Sequence, residues 1–167
     1  MDLGHPGWND IVADGRGNIY VNGAGFNPAA GQESRPGAVY HVAADGPVRQ
    51  VAGDIAFPNG MTVIADNSTL IVADSYRHHL VAFDIGADGG LSGRRVWADL
   101  GEGTPDGICA DSQDTVWYAD VPAGGACASP REAPCWTPLN WTAAASPASW
   151  AARGGRRCSS RQPSGGA

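Results

Sequence analysis

Apolar residues along this chain fall in short runs bounded by Asp, Asn or Gly, and before residue 121 none sustains the i, i+3, i+4, i+7 spacing of a helix. Three of the runs open and close alike. Residues 9–22 read NDIVADGRGNIYVN, residues 59–74 read NGMTVIADNSTLIVAD and residues 106–120 read DGICADSQDTVWYAD. Each has a polar opener, an apolar strand, an Asp-led turn and a second strand of β-branched and aromatic residues. Asp, Asn and Gly suit the turns because they accept left-handed or side-chain-bonded backbone. The pattern predicts one hairpin written three times.

Further strands are expected between the hairpins. Residues 38–42 and 80–84 supply a third strand per unit, and residues 48–52 and 94–97 a fourth. Units of four antiparallel strands, repeating every ~40–50 residues, are how a β-propeller reads in sequence. The expected fold is therefore all-β, a partial β-propeller of about two and a half four-stranded blades, short of the roughly four to eight that close a ring.

Composition divides the chain at residue 121. Residues 1–121 carry 16 Asp and Glu against 6 Arg and no Lys, whereas residues 122–167 carry one Glu and five Arg and contain no Val, Ile, Phe, Tyr, Met or Asp. The expected domains are a propeller portion over 1–121 and a disordered tail over 122–167, whose Ala, Gly, Pro, Ser and Arg content reads as GC-rich coding sequence translated out of frame. The acidic body argues against nucleic-acid binding, which needs Lys and Arg on one face. No segment approaches the ~20 apolar residues that cross a bilayer, and the first residues lack a signal-peptide pattern, so the expectation is a cytoplasmic protein with no membrane partner. Cys109 lies in a repeat strand, where a small buried thiol is expected. Cys127, Cys135 and Cys158 have no zinc-site spacing.

Candidate chemistry sits at one phase of the repeat. Pro58-Asn59-Gly60 and Pro105-Asp106-Gly107 open equivalent strands, and Asn9-Asp10 opens the earlier one. Innermost propeller strands line the axis, so Asn59 and Asp106 would present a carboxamide and a carboxylate oxygen to one volume, suited to a hard divalent cation. Asn-Gly and Asp-Gly after proline are also ordinary turn formers, and that reading stays open. Asn9 is a candidate to bond a substrate hydroxyl or a cation-bound water, or else to cap a strand entry. Adjacent histidines on a strand point to opposite faces, so His78 and His79 are expected to pack rather than share an ion. Gly23-Ala24-Gly25-Phe26-Asn27 reads as a mobile loop between blades.

The ordered set WNDIVADGRGNIYVN, FPNGMTVIADNSTLIVADSYRHHLVAFDI and TPDGICADSQDTVWYAD resembles the senescence-marker-protein/gluconolactonase/luciferin-regenerating-enzyme family over about residues 7–121. The resemblance implies a six-bladed propeller that hydrolyses sugar lactones with one divalent cation, calcium first, with zinc, magnesium and manganese as the other candidates. It implies Asn59 and Asp106 as metal ligands, Asp106 also as the catalytic general base, and Asn9 as a substrate-binding residue. The family's glutamate ligand falls upstream of residue 1, and an arginine that some members carry is Gly7 here. The implied partner is a small-molecule lactone, with the oligomeric state left open. The alternatives are a paraoxonase-like or strictosidine-synthase-like calcium-dependent hydrolase, or a non-catalytic calcium-binding scaffold. The isolated chain is expected to be poorly soluble and weak in metal affinity.

Overall fold

Each hairpin of the sequence forms the inner half of a four-stranded antiparallel sheet. The computed structural model describes residues 7–43, 48–121, 125–129 and 136–139. The first sheet holds β1 (Trp8–Ala13), β2 (Ile19–Gly23), β3 (Gly37–Val42) and β4 (Arg49–Ile55). The second holds β5 (Pro58–Ile64), β6 (Thr69–Asp74), β7 (His79–Ile85) and β8 (Leu91–Asp99), and the third β9 (Pro105–Ala110), β10 (Val116–Asp120), β11 (Gly125–Ser129) and β12 (Trp136–Leu139). Within each sheet the strands lie in sequence order. First strands adjoin across sheets, β1 beside β5 and β5 beside β9, so the three sheets are successive propeller blades.

Burial follows from this stacking. β6 (TLIVAD) is buried at every position because both of its faces meet another sheet. Leu70 and Val72 pack with Met61, Val81 and Phe83 against Tyr20, Val39 and Ile55 of the first blade. Ile71 and Ala73 point the other way, joining Leu80, Ala82 and Trp97 against Val116 and Tyr118 of the third. β2 and β10 have one covered face and keep the alternation that β6 loses. The core therefore lies between blades rather than within one.

The fourth strands run longer than their apolar pattern announces. β8 extends from Leu91 to Asp99 although Ser92, Gly93, Arg94, Arg95 and Val96 are exposed, because an outermost strand needs ladder hydrogen bonds but no apolar face.

Strand pairing also crosses residue 121. β11 pairs with β10 from Val116↔Ser129 to Asp120↔Gly125, and β12 pairs with β11. These two segments fall within the expected 122–167 tail; a backbone ladder accepts Gly, Ala and Cys wherever a neighbouring edge offers free N–H and C=O groups. The other residues of the expected 122–167 tail lie outside the described residues. One correction concerns Cys109, which is half-buried and disulfide-bonded rather than a buried thiol. Among the described residues no helix is long and apolar enough to cross a membrane.

Candidate metal centre

Two prolines set where the inner strands begin. Pro lacks an N–H, so it suits the first position of a strand, and Pro58 and Pro105 open β5 and β9 opposite Asp74 and Asp120. Those aspartates fasten the entering chain. The Asp74 carboxylate, fully buried, accepts from Ala56 N and Phe57 N at 3.0 Å each, and Asp120 Oδ1 accepts from Thr104 N at 3.2 Å. A backbone bond accompanies each, Ser75 N to Phe57 O and Val121 N to Thr104 O. The Arg77 guanidinium stands 3.6 Å from Asp74 and offsets part of the cost of its burial, and His79 Nε2 lies 3.7 Å away.

Side chains then stitch one blade to the next. Asn9 donates through Nδ2 to Pro58 O at 3.0 Å, and Asp10 Oδ2 accepts from Met61 N at 2.6 Å. Buried Asn22 accepts from Asp10 N and donates to Asn59 O, fixing the backbone at Asn59. Ser75 does the same at the following junction. Its hydroxyl donates to Pro105 O at 2.6 Å and receives Asn59 Nδ2 at 3.4 Å. At Gly60 the blades nearly touch: a Cβ there would fall 2.4 Å from Ile108 N and 2.7 Å from Asp106 O. Only glycine permits this approach, so the Asn-Gly step packs blades as well as turning the chain.

The three residues singled out from sequence therefore stand at the openings of three adjoining inner strands. Asn59 and Asp106 are half-buried and Asn9 is exposed. With the Asn59 amide nitrogen engaged by Ser75, its Oδ1 accepts no hydrogen bond among the described residues. The Asp106 carboxylate likewise takes no hydrogen bond and no ion pair among them. An amide oxygen and a carboxylate on adjoining strands fit a hard cation in kind, but supply at most three of the roughly six to eight ligands that calcium takes. No group of three or more His, Cys, Asp or Glu that could hold a metal occurs among the described residues, so any cation here depends on the amide oxygen as well as the carboxylate.

An open pocket of about 360 Å³ lies beside Asn9, walled by Trp8, Phe26, Pro28 and Phe57. Neither Asn59 nor Asp106 lines it. Phe26 is buried and meets Phe57 edge-on at 5.8 Å, and Phe57 stacks on Tyr76 at 4.6 Å, a cluster at the same end of the sheets as the three openings. The segment expected to be a mobile loop is thus anchored by Phe26, and Gly25 sits where a Cβ would meet Pro36 O at 2.2 Å. His78 Nδ1 lies 3.0 Å from Gly103 O, and half-buried His79 packs beside Asp74.

Sequence reading missed Asn22, Asp74 and Ser75, which hold the candidates in place. The available signal was the polar residue that closes each hairpin, Asn22, Asp74 and Asp120, a second recurring phase of the internal repeat beside the opening one.

Successive four-stranded sheets whose first strands adjoin, with oxygen-bearing side chains at the inner-strand openings, define a protein of the β-propeller class. The chain matches the SMP-30/Gluconolactonase/LRE-like region over residues 5–129 and belongs to that family. It is 28% identical over 126 residues to diisopropyl-fluorophosphatase of Loligo vulgaris, a match that spans 68% of this chain and 40% of that protein. Its fold is similar to luciferin-regenerating enzyme, with a TM-score of 0.70 at 22% identity, over 82% of this chain and 47% of that one. It is also similar to the calcium-binding protein regucalcin of Agrobacterium tumefaciens, with a TM-score of 0.62 at 26% identity, over 72% of this chain and 41% of that one. The chain spans less than half the length of each of these proteins.

Proposed function

We propose that this chain carries part of a divalent-cation-dependent hydrolase of cyclic esters, with sugar lactones as the substrate class and calcium as the first candidate cation. The observation that carries the reading is the pair of side chains, Asn59 with its Oδ1 and Asp106 with its carboxylate, uncommitted among the described residues, on inner strands whose backbones meet at Gly60. Membership of a family whose description includes gluconolactonase supports the reaction type, and likeness to a calcium-binding protein supports the cation.

Asn59 and Asp106 would hold the cation, which when bound supplies a Lewis acid for the ester carbonyl. Asp106 takes a proton from the attacking water as the water oxygen bonds to the carbonyl carbon. The ring C–O bond then breaks, the departing oxygen recovers the proton, and a hydroxy acid leaves. Asn9, its amide nitrogen held by Pro58 O, keeps Oδ1 for a substrate hydroxyl. The aromatic walls beside Asn9 give the rest of the substrate an apolar face to lie on.

Turnover of δ-gluconolactone with and without calcium, in wild type and Asp106→Asn, tests the proposal. Calcium-dependent acid release that Asp106→Asn reduces at least ~100-fold is the expected result, within the range for loss of a general base. Hydrolysis of diisopropyl fluorophosphate but not the lactone would move the substrate class, and calcium binding without turnover of either would favour the scaffold.

A further inference from the structure

One rung of the first blade holds one turn of the second, at the end of the sheets away from Asn59 and Asp106. Tyr20, His41 and Arg49 are successive cross-strand partners on β2, β3 and β4, so their side chains share a face. All three meet residues 86–90, the turn that joins β7 to β8. Tyr20 OH donates to Gly89 O at 3.1 Å, and the Arg49 guanidinium holds the Asp88 carboxylate at 2.9 Å. The His41 ring lies so close to Gly89 that a Cβ there would fall 2.3 Å from Nε2. The imidazole at the middle of the rung is 3% exposed and only half satisfied. Asn18 Nδ2 donates to Asp14 Oδ2 at 2.7 Å, which turns Asn18 Oδ1 toward His41 Nε2 at 2.8 Å and assigns the ring proton to Nε2. Nδ1 is left buried with a lone pair and meets no donor among the described residues.

We propose that His41 is an acid-released latch: a proton taken at Nδ1 leaves a buried charge that only water can solvate, and the 86–90 turn lifts from the Tyr20–His41–Arg49 rung to admit it, parting the first two blades at that end of their seam. No neighbour would neutralise the charge in place. Arg49 faces the ring with like charge, and Tyr20 stays neutral, its pKa pushed up to about 12 by burial. The carboxylates of Asp14 and Asp88 also face the ring, but Asp14 is engaged by Arg16 N, Asn18 N and Asn18 Nδ2, and Asp88 by Arg49 and Gly90 N. The turn can leave at small cost, because its polar ties to the rung are one hydroxyl bond and an ion pair open to solvent. Nearer the candidate centre the same two blades are joined by the Asn9–Pro58, Asp10–Met61 and Asn22–Asn59 bonds, none of which involves a histidine, so that end of the seam stays shut. Burial first, and then Arg49, holds the His41 pKa below its ordinary 6.5, which puts the release on the acid side of neutrality.

NMR of the full 167-residue protein between pH 7.5 and 5 tests the latch. Two quantities are followed: the titration of the His41 ring protons, and the through-space cross-peaks from Gly89 Hα to the rings of His41 and Tyr20. The cross-peaks should be present at pH 7.5 and lost by pH 5 with the midpoint of the His41 titration, while the amide shifts of residues 59–64 keep their folded values. In His41→Asn the cross-peak between Gly89 and Tyr20 should survive to pH 5. Cross-peaks that outlast the titration of His41, or that vanish only together with the folded signals of residues 59–64, overturn the proposal. So does a His41 ring that takes no proton above pH 5, or a folded His41→Asn that loses the Gly89–Tyr20 cross-peak on acidification. Should that variant not fold, the wild-type midpoints decide alone.

Discussion

Ser75 shows how a single hydroxyl can tie a site to its scaffold. It bridges the Asn59 amide to the Pro105 carbonyl, so Ser75→Ala leaves a buried carbonyl unpaired and lets the Asn59 side chain turn. The expected cost is ~1–3 kcal/mol in a urea unfolding curve, the price of an unsatisfied buried acceptor. Cation affinity should fall along with it. An unchanged midpoint and unchanged affinity would remove Ser75 from the site. His41 gives a pH dependence. Burial, followed by the charge of Arg49, lowers its pKa below 6.5, and its Nδ1 has no hydrogen-bond partner while Nε2 lies 2.8 Å from Asn18 Oδ1. The unfolded chain therefore binds this proton more readily than the folded one, so stability is full above pH 6.5 and declines as the pH drops below it. His79, also lowered chiefly by burial, acts in the same direction. Thermal melts from pH 7.5 to 5 should show a falling midpoint, with His41→Asn flattening the slope. A midpoint that rises on acidification over that range would contradict the assignment. At this scale the place of Asn59 and Asp106 at the openings of β5 and β9 was legible because each lies between a proline and a glycine at one phase of a repeat. Ser75 was not, because its partner comes from a strand entry 30 residues away that only the stacked sheets bring near.

Among the elements, the inner strands were the most legible and the outer ones the least. Most covered positions of β5 and β6 are apolar, with Thr62, Thr69 and Asp74 the buried polar exceptions, and the hairpin pattern places the strands within a residue of the observed bounds. β8 is carried by its ladder rather than by apolar side chains, so half of it was invisible to a hydrophobic pattern. β11 and β12 follow the same rule further along the chain. β5 and β9 approach closely at Gly60, where the obstructing atoms are backbone and cannot move aside as a flexible side chain would. Gly60→Ala should therefore push β5 from β9, costing ~1–3 kcal/mol as overpacking does. It should weaken cation binding by separating Asn59 from Asp106. Denaturant titration and calcium titration of the variant check both; a variant as stable as wild type would mean the blades are not held that close.

For the whole molecule, the propeller architecture was readable from the spacing of three hairpins, since a period of that length with strands in each unit has few other solutions, and the family from the resemblance of the three ordered segments. How the stack ends was not readable, because the pattern records which positions are apolar and not what covers them. Ile11 is exposed and Val21 and Tyr40 half-buried where Met61, Val72 and Val81, their equivalents in strand register, are buried, so the same apolar pattern carries different burial in the two blades. The central claim, that Asn59 and Asp106 jointly hold one cation, is tested most directly by isothermal titration of the protein with calcium. Saturable binding that weakens at least ~tenfold in both Asn59→Ala and Asp106→Asn is predicted, since ligand number and charge set calcium affinity. Binding of equal strength in wild type and both variants, or none in wild type, would contradict it.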